Sequence, residues 1–301
     1  MKEIRGEQIM RKKVLSMIMV TAMVAALGGC QTQSEKNVET SAKTEVSKEE
    51  TTSQSSEETQ TDGTKTAEET DGTFIVGFDQ DFPPMGFLGD DGEYTGFDLD
   101  LAKEVASRLE LEFVPQPISW EAKDMELESG NIDCIWNGFT MTGREDEYTW
   151  SKPYMNNTQV IVVNKDSDIK SMEDLAGKIV EVQADSSAEA ALSEMPDVTA
   201  GFAALQTTPD YNTAFMDLEM GSVDAIAMDI IVASYQIQQR NADMVILEES
   251  LSAEEYAIGF KKGNTELCEK VEGILGEMAE DGTLAEISTK WFGEDITTFK
   301  K

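Results

Sequence analysis

The chain contains no histidine. That excludes Ser-His and Cys-His nucleophilic centres and removes the commonest zinc ligand. Cysteine is scarce, with only Cys30, Cys134 and Cys268 among 301 residues. Cys134 sits in the apolar run Ile132–Trp136 and Cys268 on a late helical stretch. Two separately buried thiols are expected, with a disulfide in an oxidising compartment as the alternative. Basic residues are few: 24 Lys and Arg stand against 59 Asp and Glu, a formal charge of −35. Nucleic-acid affinity rests on Lys and Arg neutralising phosphates, so that class is excluded, and direct adhesion to anionic lipid is disfavoured. The apolar run Val14–Gly29, about sixteen uncharged residues, falls short of the roughly 20 that a spanning helix needs. Gln31–Gly72 has no aromatic residue and is dominated by Thr, Ser, Glu and Lys. Such a segment cannot bury enough apolar surface to offset its ordering entropy.

What is present begins with a signal. Met10-Arg11-Lys12-Lys13 opens a basic patch, Val14–Gly29 follows as an apolar core, and Leu27-Gly28-Gly29-Cys30 closes it in register. This is the pattern of a signal peptide whose last four residues look like a lipobox. In a lipobox the cysteine is acylated, with palmitate among its chains, and cleavage leaves it as the first mature residue. Residues 1–29 are therefore expected to be a lipoprotein signal peptide, with Cys30 lipidated; an uncleaved anchor is the alternative. Residues 30–72 are expected to be a disordered acidic tether. The 42 residues after Cys30 give a mean reach of roughly 36 Å at about 5.5 Å × √n.

From Phe74 onward, short apolar runs alternate with helical patterns, which predicts an α/β fold with largely parallel sheets. Strands are expected at Phe74–Phe78, Glu112–Val114, Ile132–Trp136, Gln159–Val163, Ile179–Val182, Val223–Met228, Val245–Leu247 and Tyr256–Phe260. Helices are expected near Trp120–Ser129, Ser187–Glu194, Asp210–Met220, Ile230–Arg240 and Asn264–Glu280. A further helix carries Leu101, Val105 and Leu109 on one face, with Ala102 and Ala106 beside them. The length suits two cores. Two extended segments, Asn156–Asn164 and the one around Leu247–Tyr256, flank the middle third. They suggest a lobe inserted within another and joined by a two-stranded hinge: lobe 1 from 73–160 plus 254–297, lobe 2 from 161–253. The segment ending at Trp291-Phe292-Gly293 is expected to return to the first lobe. No internal repeat is present.

Four segments carry candidate chemistry. In the first, strand Phe74–Phe78 runs into Asp79, and Phe82-Pro83-Pro84 follows in a loop that two prolines stiffen. A carboxylate and an aromatic ring on such a loop suit a small cationic or zwitterionic ligand. The second is Asn137-Gly138-Phe139-Thr140-Met141-Thr142-Gly143-Arg144. Gly138 permits close backbone approach, Thr140 offers a hydroxyl, and Arg144 presents a fork that can grip a carboxylate. Its alternative role is a surface pair with Glu145 or Asp146. The third is Gln183-Ala184-Asp185-Ser186-Ser187, where a helix N-terminus seats an anion and Ser186 and Ser187 could both cap the helix and touch a ligand carboxylate; a cap alone is the alternative. The fourth is the buried strand Val223–Met228 ending in Asp229, because strand C-termini in α/β sheets face the crevice. The alternative role of Asp229 is the N-cap of the helix Ile230–Arg240, and the two roles are compatible.

Taken in order, these segments resemble the polar amino-acid solute-binding proteins of ABC importers, the family 3 extracellular solute-binding proteins, from Phe74 to about Gly293. The resemblance implies a type II periplasmic-binding fold that binds by two-lobe closure. It implies that Arg144 holds the ligand's α-carboxylate, where family members read Gly-x-Thr-x-Thr-Pro-Glu-Arg; this chain is one residue shorter there and has Gly143 where proline is usual. Asp229 is implied to hold the α-ammonium; Asp224 matches a family position too, but it precedes the strand and is read as structural. Asp79, Phe82, Phe87 and Trp120 fall where the family places side-chain contacts, in Asp-x-x-Tyr/Phe-Pro-Pro and Ser-Trp-Asp-like motifs. Asp185 replaces a glycine usual in the family, placing an extra carboxylate near the rim; with Asp79 it would favour a polar or basic side chain. The expected function is an extracytoplasmic, membrane-anchored lipoprotein, monomeric and without cofactor or metal, that delivers a polar L-amino acid to a permease. The rivals are a cyclohexadienyl (prephenate or arogenate) dehydratase on the same fold and an amino-acid sensor.

Overall fold

The computed structural model describes residues 72–299. The expected signal peptide, Cys30 and nearly all of the tether lie outside the described residues. Two five-stranded sheets and one small hairpin sheet organise the rest.

In the first sheet, Thr73–Phe78 pairs in parallel with Glu112–Pro117 on one side and Cys134–Ile135 on the other. Phe74, Val76 and Phe78, on one face of the strand, are fully buried in the main core, while Ile75 on the other face is partly buried against a second cluster. Gly259–Phe260 and Thr149–Trp150 complete the sheet as antiparallel strands. The helix Phe97–Arg108 buries Phe97, Leu101, Ala102, Val105 and Ala106. Leu109 falls in its C-cap rather than in its last turn. The C-terminal helices Thr265–Asp281 and Thr283–Phe292 return to this lobe. There Phe292 packs edge-on against Phe97 at 5.0 Å, and the Trp291 indole donates to Asp100 at 2.6 Å.

The second sheet has the order Ala204–Thr208, Ile179–Gln183, Ala225–Asp229, Met155–Asn164, Met244–Tyr256. Its first three strands are parallel and its last two antiparallel to their neighbours. Strand periodicity divides the core. Val160, Val162, Ile226 and Met228 pack with Tyr211 and Phe215 of the helix Tyr211–Met220. Ile161, Val163, Ala225 and Ala227 pack instead with Ala188 and Leu192 of the helix Ser187–Ser193.

Two strands join the lobes. Met155–Asn164 and Met244–Tyr256 pair antiparallel along their lengths, from Met155 opposite Tyr256 to Asn164 opposite Met244. The two extended crossings expected from sequence are thus one hinge ladder. Some boundaries differ. Tyr256 ends the hinge strand and only Gly259–Phe260 enters the first sheet, so the expected strand Tyr256–Phe260 is split between two sheets. Trp120–Ala122 forms a 3-10 turn before the helix Lys123–Ser129. The edge strand Ala204–Thr208 escapes prediction because Leu205, Gln206 and Thr207 are exposed and show no apolar alternation. Cys134 and Cys268 are separate buried thiols.

Candidate ligand-binding site

Both lobes wall a small, tight cavity lined by Phe82, Trp120, Asn137, Gly138, Thr140, Arg144, Gln183, Ser186, Ser187 and Asp229. Most of the lobe 1 wall follows the central strand Cys134–Ile135. Gly138 adopts φ 56, and a Cβ there would lie 3.0 Å from the Phe82 ring and 3.1 Å from that of Tyr256. The loop therefore takes a left-handed turn between two aromatic rings, which glycine permits without strain. Its backbone N–H donates to the fully buried Asp98 carboxylate at 2.6 Å. The Tyr154 hydroxyl donates to the same oxygen at 2.9 Å. Burial pushes the Asp98 carboxyl up to about 7.

Arg144 follows on the same loop. Its guanidinium donates at 3.4 Å to the Thr140 carbonyl and at 3.4 Å to the Asp185 carbonyl, and lies 5.5 Å from the Phe139 ring centroid. Among the described residues no carboxylate pairs with it, so the surface pair with Glu145 or Asp146 does not form. A fork with five donors and two long contacts keeps the capacity for a bidentate carboxylate.

Lobe 2 meets this wall through two strand ends and a helix start. Ser186 is the N-cap of Ser187–Ser193, accepting from Glu189 N at 3.2 Å. The Ser187 hydroxyl instead reaches the Thr140 hydroxyl at 3.1 Å and accepts from Gln159 at 3.1 Å. Ser186 holds the cap and Ser187 reaches across to Thr140, and both line the cavity. Asp229, ending the strand Ala225–Asp229, is 3% exposed. It occupies the N-cap position of the helix Ile230–Arg240 but makes no capping hydrogen bond. Its Oδ1 accepts from Asn157 (2.6 Å), Gln159 (2.8 Å) and the Tyr256 hydroxyl (2.7 Å). Asp224 accepts from Ile179 N at 2.8 Å, a structural role within the sheet.

The hinge adds residues that sequence reasoning missed. Glu254 is buried, and its Oε2 accepts from Thr140 Oγ1 (2.9 Å), Asn157 (3.2 Å) and Gln159 (3.0 Å). Asn157 and Gln159 thus bridge two buried carboxylates. Among the described residues neither carboxylate has a Lys or Arg at ion-pair distance. Desolvation, then repulsion from Glu254, pushes the Asp229 carboxyl up to about 7. This corner carries excess negative potential and suits a cationic group. Gln183 was the other omission. Its amide donates to Asp79 Oδ2 at 2.7 Å across the cleft and to the Pro209 carbonyl at 3.0 Å. Strand-terminal amides after apolar runs, as in Ile179–Gln183, are the signal that could have found it.

Asp79 lies behind the cavity wall, its backbone N–H donating to Asn137 Oδ1 at 3.1 Å and its Oδ1 accepting from Asp81 N at 2.8 Å. Burial pushes its carboxyl up to about 6. Phe82 lines the cavity and faces Tyr211 of lobe 2 at 6.0 Å. Trp120 lines it too, donating from its indole to the Asp185 carbonyl at 3.2 Å.

Phe87 is not in place. In the hairpin sheet Phe82 pairs with Gly86 and Asp81 with Phe87. Strand parity therefore turns Phe87 to the face opposite Phe82. It packs against Tyr235 (6.2 Å) and Trp291 (5.9 Å), in a separate surface cleft. Asp185 also departs from expectation, since its carboxylate is engaged by Lys123. It adds no free charge at the rim, and it gives no ground for a basic ligand side chain.

Residues 74–294 match the model of the bacterial extracellular solute-binding proteins, family 3. The L-cystine-binding protein TcyJ of Escherichia coli (strain K12) is 33% identical, over 75% of this chain and 85% of that protein. An ABC uptake transporter substrate-binding protein from Streptococcus pneumoniae, solved with bound histidine, superposes with a TM-score of 0.73. It is 36% identical over 75% of this chain and 95% of that one. An ancestral arginine-binding protein bound to glutamine gives a TM-score of 0.70 at 40% identity, over 75% and 100% of the respective chains. The relatives are binding proteins, not enzymes, and the dehydratase alternative is set aside with them. With its two lobes, two-stranded hinge and walled cleft, the chain belongs to the family 3 bacterial extracellular solute-binding proteins and has their type II periplasmic-binding fold.

Proposed function

We propose that this protein is the amino-acid receptor of an ABC importer, holding one polar L-amino acid between its lobes and presenting it to a membrane permease. The observation that carries this reading is the pairing of opposite charges across one small cavity. Among the described residues, Arg144 of lobe 1 has no carboxylate partner and Asp229 of lobe 2 has no cationic one. A zwitterion satisfies both. Its α-carboxylate takes the Arg144 fork and the Thr140 and Ser187 hydroxyls. Its α-ammonium takes Asp229, with Glu254 behind it. The side chain lies between the rings of Phe82 and Trp120, against the amides of Asn137 and Gln183. Phe87 has no part in it.

The relatives support the substrate class, since they include an L-cystine-binding, a glutamine-binding and an arginine-binding protein. Each charge-assisted contact contributes roughly 1.5–3 kcal/mol, so about three to five of them reach the roughly −8 kcal/mol of micromolar binding. We assign lobe 1 to residues 73–160 plus 254–297 and lobe 2 to 161–253. The sequence motif ending at Cys30 supports a lipid anchor on an extracytoplasmic monomer, with residues 30–72 as tether. A thermal-shift screen of the twenty amino acids plus cystine and ornithine tests the reading. One or a few polar amino acids should raise Tm, and Arg144→Ala and Asp229→Ala should each abolish that rise. A screen in which no amino acid stabilises the wild type refutes it.

A further inference from the structure

Lys123 and Asp185 meet across the cleft mouth, and neither holds an end of the ligand. Lys123 opens the lobe 1 helix Lys123–Ser129 and is 2% exposed. A buried ammonium needs a partner. Its Nζ donates to the Asp185 carboxylate and lies 5.2 Å from the Trp120 ring centroid. Among the described residues Asp185 is its one ion-pair partner. Asp185 stands in lobe 2, on the loop before Ser187–Ser193, with φ 59. That left-handed backbone is strained for a residue with a Cβ, and glycine would adopt it freely. The loop is held from its own side by Glu189, which accepts from Asp185 N at 2.7 Å. The Asp185 carbonyl accepts from the Trp120 indole at 3.2 Å and from Arg144 Nη2 at 3.4 Å. One residue of lobe 2 therefore gathers three side chains of lobe 1, two of which line the cavity.

We propose that Asp185 is a positioning residue whose ion pair with Lys123 latches the closed lobes and holds Trp120 and Arg144 in their binding geometry. This rests on the cleft being the amino-acid site proposed above. The latch exists only when the lobes meet, so it favours the closed arrangement and slows release while leaving capture nearly unchanged. The two partners are unequal. Losing Asp185 leaves a buried ammonium without its counter-charge, whereas losing Lys123 leaves a half-exposed carboxylate that water can solvate. Asp185→Gly should therefore cost more than Lys123→Met, although glycine relieves the backbone.

The test uses the full-length chain labelled on both lobes for inter-lobe energy transfer, with L-cystine, L-arginine, L-histidine and L-glutamine as probes. Wild type, K123M, D185G, the double variant and the exchanged pair K123E/D185K are compared, with and without added NaCl. Each single variant should shift the lobes toward longer separations. Each should also release bound amino acid faster, by roughly ten-fold once screening at the half-exposed Asp185 is allowed for. The double variant should lose less than the sum of the singles, the exchanged pair should recover part of the loss, and salt should open the wild type more than the variants. Single variants with wild-type lobe separation and release rate would overturn the latch, as would effects that simply add in the double variant. If none of the four probes binds, the proposed substrate class fails for them, while lobe separation still decides the latch. The double variant carries no orphan charge, so a melting curve on it separates misfolding from loss of the latch.

Discussion

Asp229 is the residue at which binding and stability oppose one another. Its carboxylate is buried beside Glu254, and among the described residues no cation pairs with it. Burying charge without a counter-charge is unfavourable until a cation arrives. Asp229→Asn keeps the shape, removes the charge, and should leave the ligand-free protein as stable as the wild type or more so. It should also weaken amino-acid binding by roughly 100-fold, about 3 kcal/mol. A calorimetric melt and a titration on the same sample check both signs. The pH dependence follows. The folded-state carboxyls of Asp79, Asp98 and Asp229 are raised to about 6, 7 and 7. A raised carboxyl holds its proton more tightly in the folded state, so its contribution is present at low pH and lost as pH rises through the folded value. The ligand-free Tm should therefore fall from pH 5 to pH 8. Ammonium binding needs Asp229 ionised, so affinity should change the other way and drop below pH 7 by up to about ten-fold per unit. Titrations at several pH values with an amino acid of neutral side chain read this; affinity that is flat across that range would count against Asp229.

At the scale of elements, the site depends on how one loop and one helix start are held. Gly138 sits between the Phe82 and Tyr256 rings, in a left-handed turn fastened to Asp98. Gly138→Ala should destabilise the fold by about 1–2 kcal/mol through backbone strain and narrow the cavity as the rings give way. Denaturant unfolding and ligand titration would report the two effects separately. Ser186 and Ser187 make a sharper pair. Ser186→Ala removes an N-cap and should cost about 1 kcal/mol of stability with little change in affinity. Ser187→Ala should do the reverse, since its hydroxyl lies among Thr140, Gln159 and the cavity. Equal effects of the two on affinity would argue against the division of labour.

The same scale explains what could be read from the chain. Apolar runs such as Phe74–Phe78 and Ile179–Val182, each followed by a helical period, carry the lobes in one dimension. Residues closing those runs, such as Asp229, face the crevice for a topological reason that sequence order preserves. Phe87 falls on the other face because a one-residue shift in a hairpin decides which face a side chain takes, and Phe82 and Phe87 look alike without the register. Glu254 could not be singled out. It lies in the polar stretch Ser250–Glu255, one acid among 59, and only the hinge ladder puts it behind Asp229. The Lys123–Asp185 pair spans 62 residues between lobes, beyond the reach of any local pattern.

For the whole molecule, the hinge ladder and the cross-cleft contacts describe a hinged pair of lobes whose closure is completed by what lies between them. Trp120, Lys123, Thr140 and Arg144 touch lobe 2, and Gln183 returns a bond to Asp79. Ligand charge should then shift the lobes toward closure, and X-ray scattering should show a smaller radius of gyration on binding. The central claim is that one free amino acid bridges Arg144 and Asp229. Its most direct test is calorimetric titration of the wild type with the best-binding amino acid, its methyl ester and its deaminated analogue. The account predicts that removing either charged end weakens binding by roughly 100-fold or more, the ester through Arg144 and the deaminated acid through Asp229. An ester or a deaminated acid that binds as tightly as the parent amino acid would contradict it.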